Sequence, residues 1–124
     1  MKQLLLATLV IVLNSCYSAP ERKCADFKVG TFEFETEIDG KIAKTKFVRN
    51  DSIEIDYYQN KIDTASIQWI NDCEYIVKKI NPKSIAEQKA VHIKILTTKK
   101  NSYTFEYSLV GKTNKQKGEA FKIN

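Results

Sequence analysis

With 124 residues, the chain can hold one small domain around a single core. Its 20 basic against 15 acidic residues give a net charge of +5, a modest excess for which a nearby anionic surface is one candidate partner, and no nucleic-acid partner is expected. Much of that excess lies late, at Lys94, Lys99, Lys100, Lys112, Lys115, Lys117 and Lys122, where lysines read as a solvated face that also protects strand edges.

The chain opens with Met1-Lys2-Gln3, a short basic start, and continues through residues 4–13 without a charge. That pattern is an export signal, since a bilayer span needs about 20 apolar residues. The string Leu13-Asn14-Ser15-Cys16 resembles a bacterial lipobox, in which a small residue precedes the cysteine that takes the lipid. Asn14 departs from the usual choice at its position. The expected division is a signal peptide over 1–15, a tether over 16–23 and one β domain over 24–124. Lipid on Cys16 then makes a membrane the first partner, in the cell envelope and on an outer membrane. The alternative is an ordinary secretory signal cut near Ser18-Ala19-Pro20.

There are three cysteines, an odd count for an exported chain. If Cys16 carries lipid, Cys24 and Cys73 can pair in an oxidising compartment. That bridge would close a loop of about 50 residues and contribute about 4 kcal/mol in the chain-entropy model. The alternative is two buried free thiols.

After Cys24 the hydrophobic period is two, which predicts strands. Phe27 and Val29 share one parity, Phe32 and Phe34 the other, so a bulge or bend at Gly30-Thr31 would bring both pairs to the core. Asp39-Gly40 predicts a type I′ hairpin that sets Phe34 opposite Thr45 and Phe32 opposite Phe47. On the other face Glu35 meets Lys44 and Glu33 meets Lys46, so the row Glu33, Glu35, Glu37 reads as a charge ladder. Asn50-Asp51-Ser52 predicts a three-residue loop that puts Phe47 opposite Ile55, with Ile53, Ile55 and Tyr57 on one face. Residues 59–63 read as a loop, and Ala65, Ile67 and Trp69 as a strand. Cys73, Tyr75 and Val77 follow, with Ile76 and Ile80 on the opposite face, a pattern that suits a strand deep in the sheet.

Asn81-Pro82 breaks that strand, and residues 84–89 allow one or two helical turns. Val91, Ile93 and Ile95 resume alternation. A turn at Lys99-Lys100-Asn101, with Asn101 able to take positive φ, pairs them with Leu109, Tyr107 and Phe105. Residues 111–117 read as a loop, and Phe121 and Ile123 as a last strand. The fold class is all-β: an antiparallel meander of about eight strands, forming a curved sheet or a small lipocalin-like barrel.

Catalytic patterns are absent from the sequence. His92 is the only histidine and should point away from Val91 and Ile93. No cysteine–histidine spacing suits zinc, no acidic loop suits calcium, and no serine sits in a nucleophile elbow. Gly30, Gly40, Gly111 and Gly118 are too dispersed for a phosphate loop. Neither enzymatic activity nor a cofactor is expected. The candidate ligand-binding residues are the aromatics Tyr57, Trp69, Tyr75, Phe105 and Tyr107, with Tyr58 and Tyr103 nearby in sequence. Such residues line concave pockets in curved sheets, and they also fill the cores of small β domains.

Three segments carry a resemblance: Cys24-Ala25-Asp26-Phe27-Lys28-Val29-Gly30-Thr31-Phe32, Arg49-Asn50-Asp51-Ser52-Ile53 and Trp69-Ile70-Asn71-Asp72-Cys73-Glu74-Tyr75. Together they resemble a family of small, uncharacterised bacterial lipoproteins, some of which carry the label DNA topoisomerase IV. The resemblance implies a fold, an envelope location and a Cys24–Cys73 pairing, but no activity. A topoisomerase needs a far larger chain and contact with the chromosome, so that label does not fit. Gly30-Thr31-Phe32 is also similar to the early lipocalin motif, with phenylalanine where tryptophan is usual. The expected function is a non-enzymatic binding or interaction module at the envelope, with an envelope protein as partner. The alternatives are a carrier of a small apolar ligand and an inhibitor of a cell-wall-degrading enzyme.

Overall fold

The computed structural model describes residues 21–38 and 40–124, with backbone alone at 36–38. Cys16, the signal segment, residues 16–20 of the expected tether and Asp39 of the hairpin turn lie outside these residues. Eight strands follow: β1 Gly30–Ile38, β2 Lys41–Arg49, β3 Ile53–Tyr58, β4 Lys61–Asn71, β5 Glu74–Lys79, β6 Val91–Thr98, β7 Ser102–Leu109 and β8 Gln116–Lys122. They form a closed barrel in chain order, each antiparallel to its neighbours. The ring closes where Phe32, Glu33 and Phe34 of β1 meet Lys122, Phe121 and Ala120 of β8. Closure leaves no free sheet edge, and an eight-stranded barrel is just wide enough for side chains or one small ligand.

Turn chemistry explains the register. Gly40 sits at φ +76°, and β1 pairs with β2 as expected, Phe32 opposite Phe47 and Phe34 opposite Thr45. Glu35 and Lys44 form the ion pair of the outer ladder. Gln59 and Asn60 both take positive φ between Tyr58 and Lys61, which pair, so this turn spans two residues. The expected loop over 59–63 is therefore mostly strand, and β4 starts at Lys61. β6 and β7 pair Ile95 with Phe105, Ile93 with Tyr107 and Val91 with Leu109, as expected. Lys99 N–H donates to Ser102 O at the turn, and a bulge between Ile95 and Thr97 restores the register. Asn101 does not take positive φ. The predicted helical turn is a short 3-10 helix, Ala86–Gln88.

One end of the barrel is closed by the N-terminal segment. Cys24–Phe27 is a 3-10 helix rather than the start of a strand, and both Cys24 and Phe27 are buried. Gly30, at φ +146°, makes the bend into β1; a Cβ there would lie 2.8 Å from Asn124 O. This bend buries Phe27 but leaves Val29 50% exposed, so only one of that pair reaches the core. Phe27 packs on Tyr103 with ring centroids 5.2 Å apart, and Phe32 stacks on Phe47 at 5.0 Å. Arg22 Nη1 donates to Ile95 O and Lys23 N–H to Thr98 Oγ1, seating the end of the expected tether on β6. Further along, Gly118 leaves room for Phe34 and Phe105, whose ring atoms would lie within 3 Å of any Cβ there. Ile80 is exposed, because a closed barrel gives β5 one interior face rather than two buried ones.

Cys24 and Cys73 are joined as a disulfide. It ties the 3-10 helix to the β4–β5 turn across 49 residues of sequence. Replacing both cysteines by alanine should destabilise the domain by about 4 kcal/mol in the chain-entropy model. Urea unfolding of oxidised protein, reduced protein and variant checks this. The reduced protein should follow the variant.

Candidate functional site

The turn between β2 and β3 determines what lines the barrel. Asn50 Oδ1 accepts from the N–H groups of Ser52 and Ile53, and Asn50 N–H donates to Ile53 O. The turn therefore closes one residue tighter than the three-residue loop expected. Arg49 pairs with Glu54, Val48 with Ile55 and Phe47 with Asp56. A one-residue slip exchanges the two faces of a strand. Phe47 thus lies opposite Asp56 instead of Ile55, and Glu54 and Asp56 line the interior. Tyr57, of the opposite parity, is 40% exposed.

Arg49 is 1% exposed at the closed end. Its Nη1 donates to Tyr75 Oη at 2.7 Å, and its Nη2 donates to Phe27 O at 2.6 Å and Tyr103 Oη at 3.1 Å. The guanidinium carbon lies 4.8 Å from the Phe32 ring centroid and 4.9 Å from that of Tyr75. Phe47, Trp69 and Tyr103 complete the aromatic shell. Cation–π contacts favour a guanidinium that has left water. Burial works against its charge, but the two tyrosines and Glu54 outweigh this and hold its pKa above the ordinary value.

Above this plug lies a cavity of about 240 Å³. Phe34, Thr45 and Phe47 line it from β1 and β2, Glu54 and Asp56 from β3, and Tyr75 from β5. Val91 and Ile93 of β6 and Tyr103, Phe105 and Tyr107 of β7 complete the wall. Val91 also borders two outer hollows, one toward Lys112 and Gln116 and one toward Asp63 and Lys79.

The carboxylates are the unusual part of this wall. Glu54 is 8% exposed. Its Oε2 lies 3.9 Å from Arg49 Nη1, beyond hydrogen-bond reach, and has no hydrogen-bond partner among the described residues. Burial, then the negative charge of Asp56, push the Glu54 carboxyl up to about 8, with Arg49 opposing and a side-chain hydrogen bond to Asp56 adding to the rise. Burial also raises Asp56. At neutral pH Glu54 holds a proton that it can donate, and at higher pH it becomes an anion facing an apolar chamber.

The predicted aromatic residues are divided by the barrel wall. Tyr75, Phe105 and Tyr107 reach the cavity. Trp69 packs on Tyr75 with centroids 4.5 Å apart but is not part of the lining, and Tyr57 lies outside. His92 meets Glu74 through Nε2 at 3.2 Å, across the β5–β6 pairing of the outer face. Arg49, Glu54 and Asp56 were not predicted. The usable signal was the Asn50-Asp51-Ser52 string, since an asparagine that caps its own turn also allows a tighter one. Comparison with family models, curated proteins and solved structures finds no match for the chain.

The raised Glu54 pKa makes stability depend on pH. Unfolded, the group ionises near 4.5; folded, it keeps its proton to about 8. Its contribution is fully present below the lower value and is lost as pH rises through the higher one. Glu54→Gln should therefore flatten the decline between pH 5 and pH 9. At pH 9 it should be more stable than the parent by roughly 1–3 kcal/mol. Urea midpoints across that range check the sign.

Proposed function

We propose that this chain is a cell-envelope lipoprotein, anchored through Cys16, whose barrel is a non-catalytic binding module for a compact, largely apolar ligand. It belongs, on this reading, with the small bacterial lipoproteins that its three segments resemble. The lipobox-like string and the disulfide support an exported chain, because disulfides persist in oxidising compartments.

The observation that carries the binding role is the chamber above Arg49. Aromatic and aliphatic side chains from β1, β2, β5, β6 and β7 leave it unfilled, although barrels of this size can fill their interiors completely. Its volume of about 240 Å³ lies below the common range of about 300–1,000 Å³, which favours a ligand near the size of one substituted ring. This favours the carrier alternative over a purely protein-facing module.

Two experiments test the reading. An apolar fluorescent dye should bind the purified barrel, and Val91→Trp should reduce its affinity at least about tenfold by filling the mouth. Far-UV circular dichroism should show the fold retained. Dye binding that ignores the substitution would place the site elsewhere. Mass spectrometry of the native protein should find lipid on an N-terminal Cys16; a free thiol there would remove the anchor from the proposal.

A further inference from the structure

The chamber is lined mostly by apolar and aromatic side chains, and its acids all stand on β3. Glu54 and Asp56 stand two residues apart and face inward together. Among the described residues the only cation in contact with Glu54 is Arg49, and its hydrogen bonds go to other acceptors. Tyr75 Oη, Phe27 O and Tyr103 Oη take Nη1 and Nη2, and all three acceptors are neutral. Glu54 Oε2 is left buried without a hydrogen-bond partner among the described residues. Lys79, near the mouth, is already paired with Asp63 at 3.7 Å and Glu87 at 3.1 Å. Among the described residues the interior thus holds two acids beside one guanidinium, and one of them, Glu54, keeps its proton at neutral pH. A buried carboxylate oxygen without a partner is costly, and such groups are normally satisfied by a donor.

We propose that the ligand of this chamber carries a cationic, hydrogen-bond-donating head, such as a primary ammonium, which sits between Glu54 and Asp56 while its apolar body lies against Phe34, Phe105 and Tyr107. The inference rests on the reading of the chamber as the binding site. An ammonium supplies the missing donor to Oε2, and its charge compensates Glu54 when that acid ionises. Aromatic faces near the acids suit it, because a cation is attracted to ring faces as well as to carboxylates. An anionic head would meet Glu54 and Asp56 before it reached Arg49, which lies beneath its own aromatic shell.

Binding should also release a proton. Without ligand, Glu54 is kept neutral by burial and by Asp56, with Arg49 opposing. The other groups facing this pair are Asp63 of β4, Tyr75 and Lys79 of β5 and Tyr103 of β7. A cation beside Glu54 favours its ionised form, so affinity for a strongly basic amine should rise between pH 6 and pH 8.

The test uses three ligands of one shape: phenethylamine, 2-phenylethanol and phenylacetate, titrated calorimetrically into the full barrel at pH 8. The amine should bind about tenfold or more tighter than the alcohol, the gain expected of a charge-assisted hydrogen bond, with phenylacetate weakest. Its heat should vary with buffer ionisation enthalpy, reporting proton release. Glu54→Gln and Asp56→Asn should each bring the amine-to-alcohol ratio toward one. Equal affinity for all three, or a preference for phenylacetate, overturns the proposal. If none binds while the apolar dye still enters, the cationic head is refuted and the chamber reading stands. If the dye also fails to enter, both fall.

Discussion

A guanidinium without water needs acceptors, and this barrel supplies three of them to Nη1 and Nη2 from distant segments, with Nε left unpaired among the described residues. Phe27 O comes from the N-terminal 3-10 helix, Tyr75 Oη from β5 and Tyr103 Oη from β7. Arg49 therefore gathers the strands at one end around a single charge. Removing one partner of such a buried set typically costs about 3–5 kcal/mol, because the remaining groups are left unpaired. The disulfide acts on the same end, holding the 3-10 helix that presents Phe27 O. Charge, bridge and stacked rings together seal the closed end, and the space above it stays open.

The β2–β3 turn translates that anchor into a site. Arg49 is the last residue of β2 and Glu54 is its partner across the ladder. With Arg49 inside, a tight turn obliges Glu54 and Asp56 to be inside as well, and sends Ile53, Ile55 and Tyr57 outward. The cost appears in both directions. Carboxyl groups lose water and hold protons at unusual pH, and Tyr57 and Val48 are left substantially exposed. A strand with its polar side inward and its apolar side outward contradicts the local pattern, and such contradictions concentrate at functional sites.

Those same residues show why the barrel was easier to read than its site. Asp39-Gly40 fixes one register through turn geometry, and the long alternation of β6 and β7 fixes another, so the meander and most of its pairings follow from local chemistry. Closure between β1 and β8 depends on sheet curvature that no single segment encodes. The register of β3 turns on one residue of loop length, and its hydrophobic pattern pointed the wrong way. Ile53-x-Ile55-x-Tyr57 reads as a core face, while Glu54-x-Asp56 reads as solvent. Only the burial of Arg49, which is a tertiary fact, reverses that choice. Tyr57 left the expected aromatic group for this reason. Tyr75, Phe105 and Tyr107 remained because their strands have no such conflict.

The two acids do more than neutralise Arg49. A structural counter-ion would be expected to make short, paired hydrogen bonds to the guanidinium, at about 2.7–2.9 Å. Glu54 instead stands 3.9 Å away with Oε2 unbonded among the described residues, and neutral oxygens accept the hydrogen bonds of Nη1 and Nη2. Asp56 lies further along the strand toward the mouth, where it borders the outer hollow with Asp63 and Lys79. With Glu54 protonated, Asp56 alone balances the guanidinium, and a glutamine at Glu54 would have spared the barrel the burial of a titratable group. The second acid, its inward parity and the empty space before both are explained together if the chamber receives a positive charge from outside. They have no common explanation in the packing of the closed end.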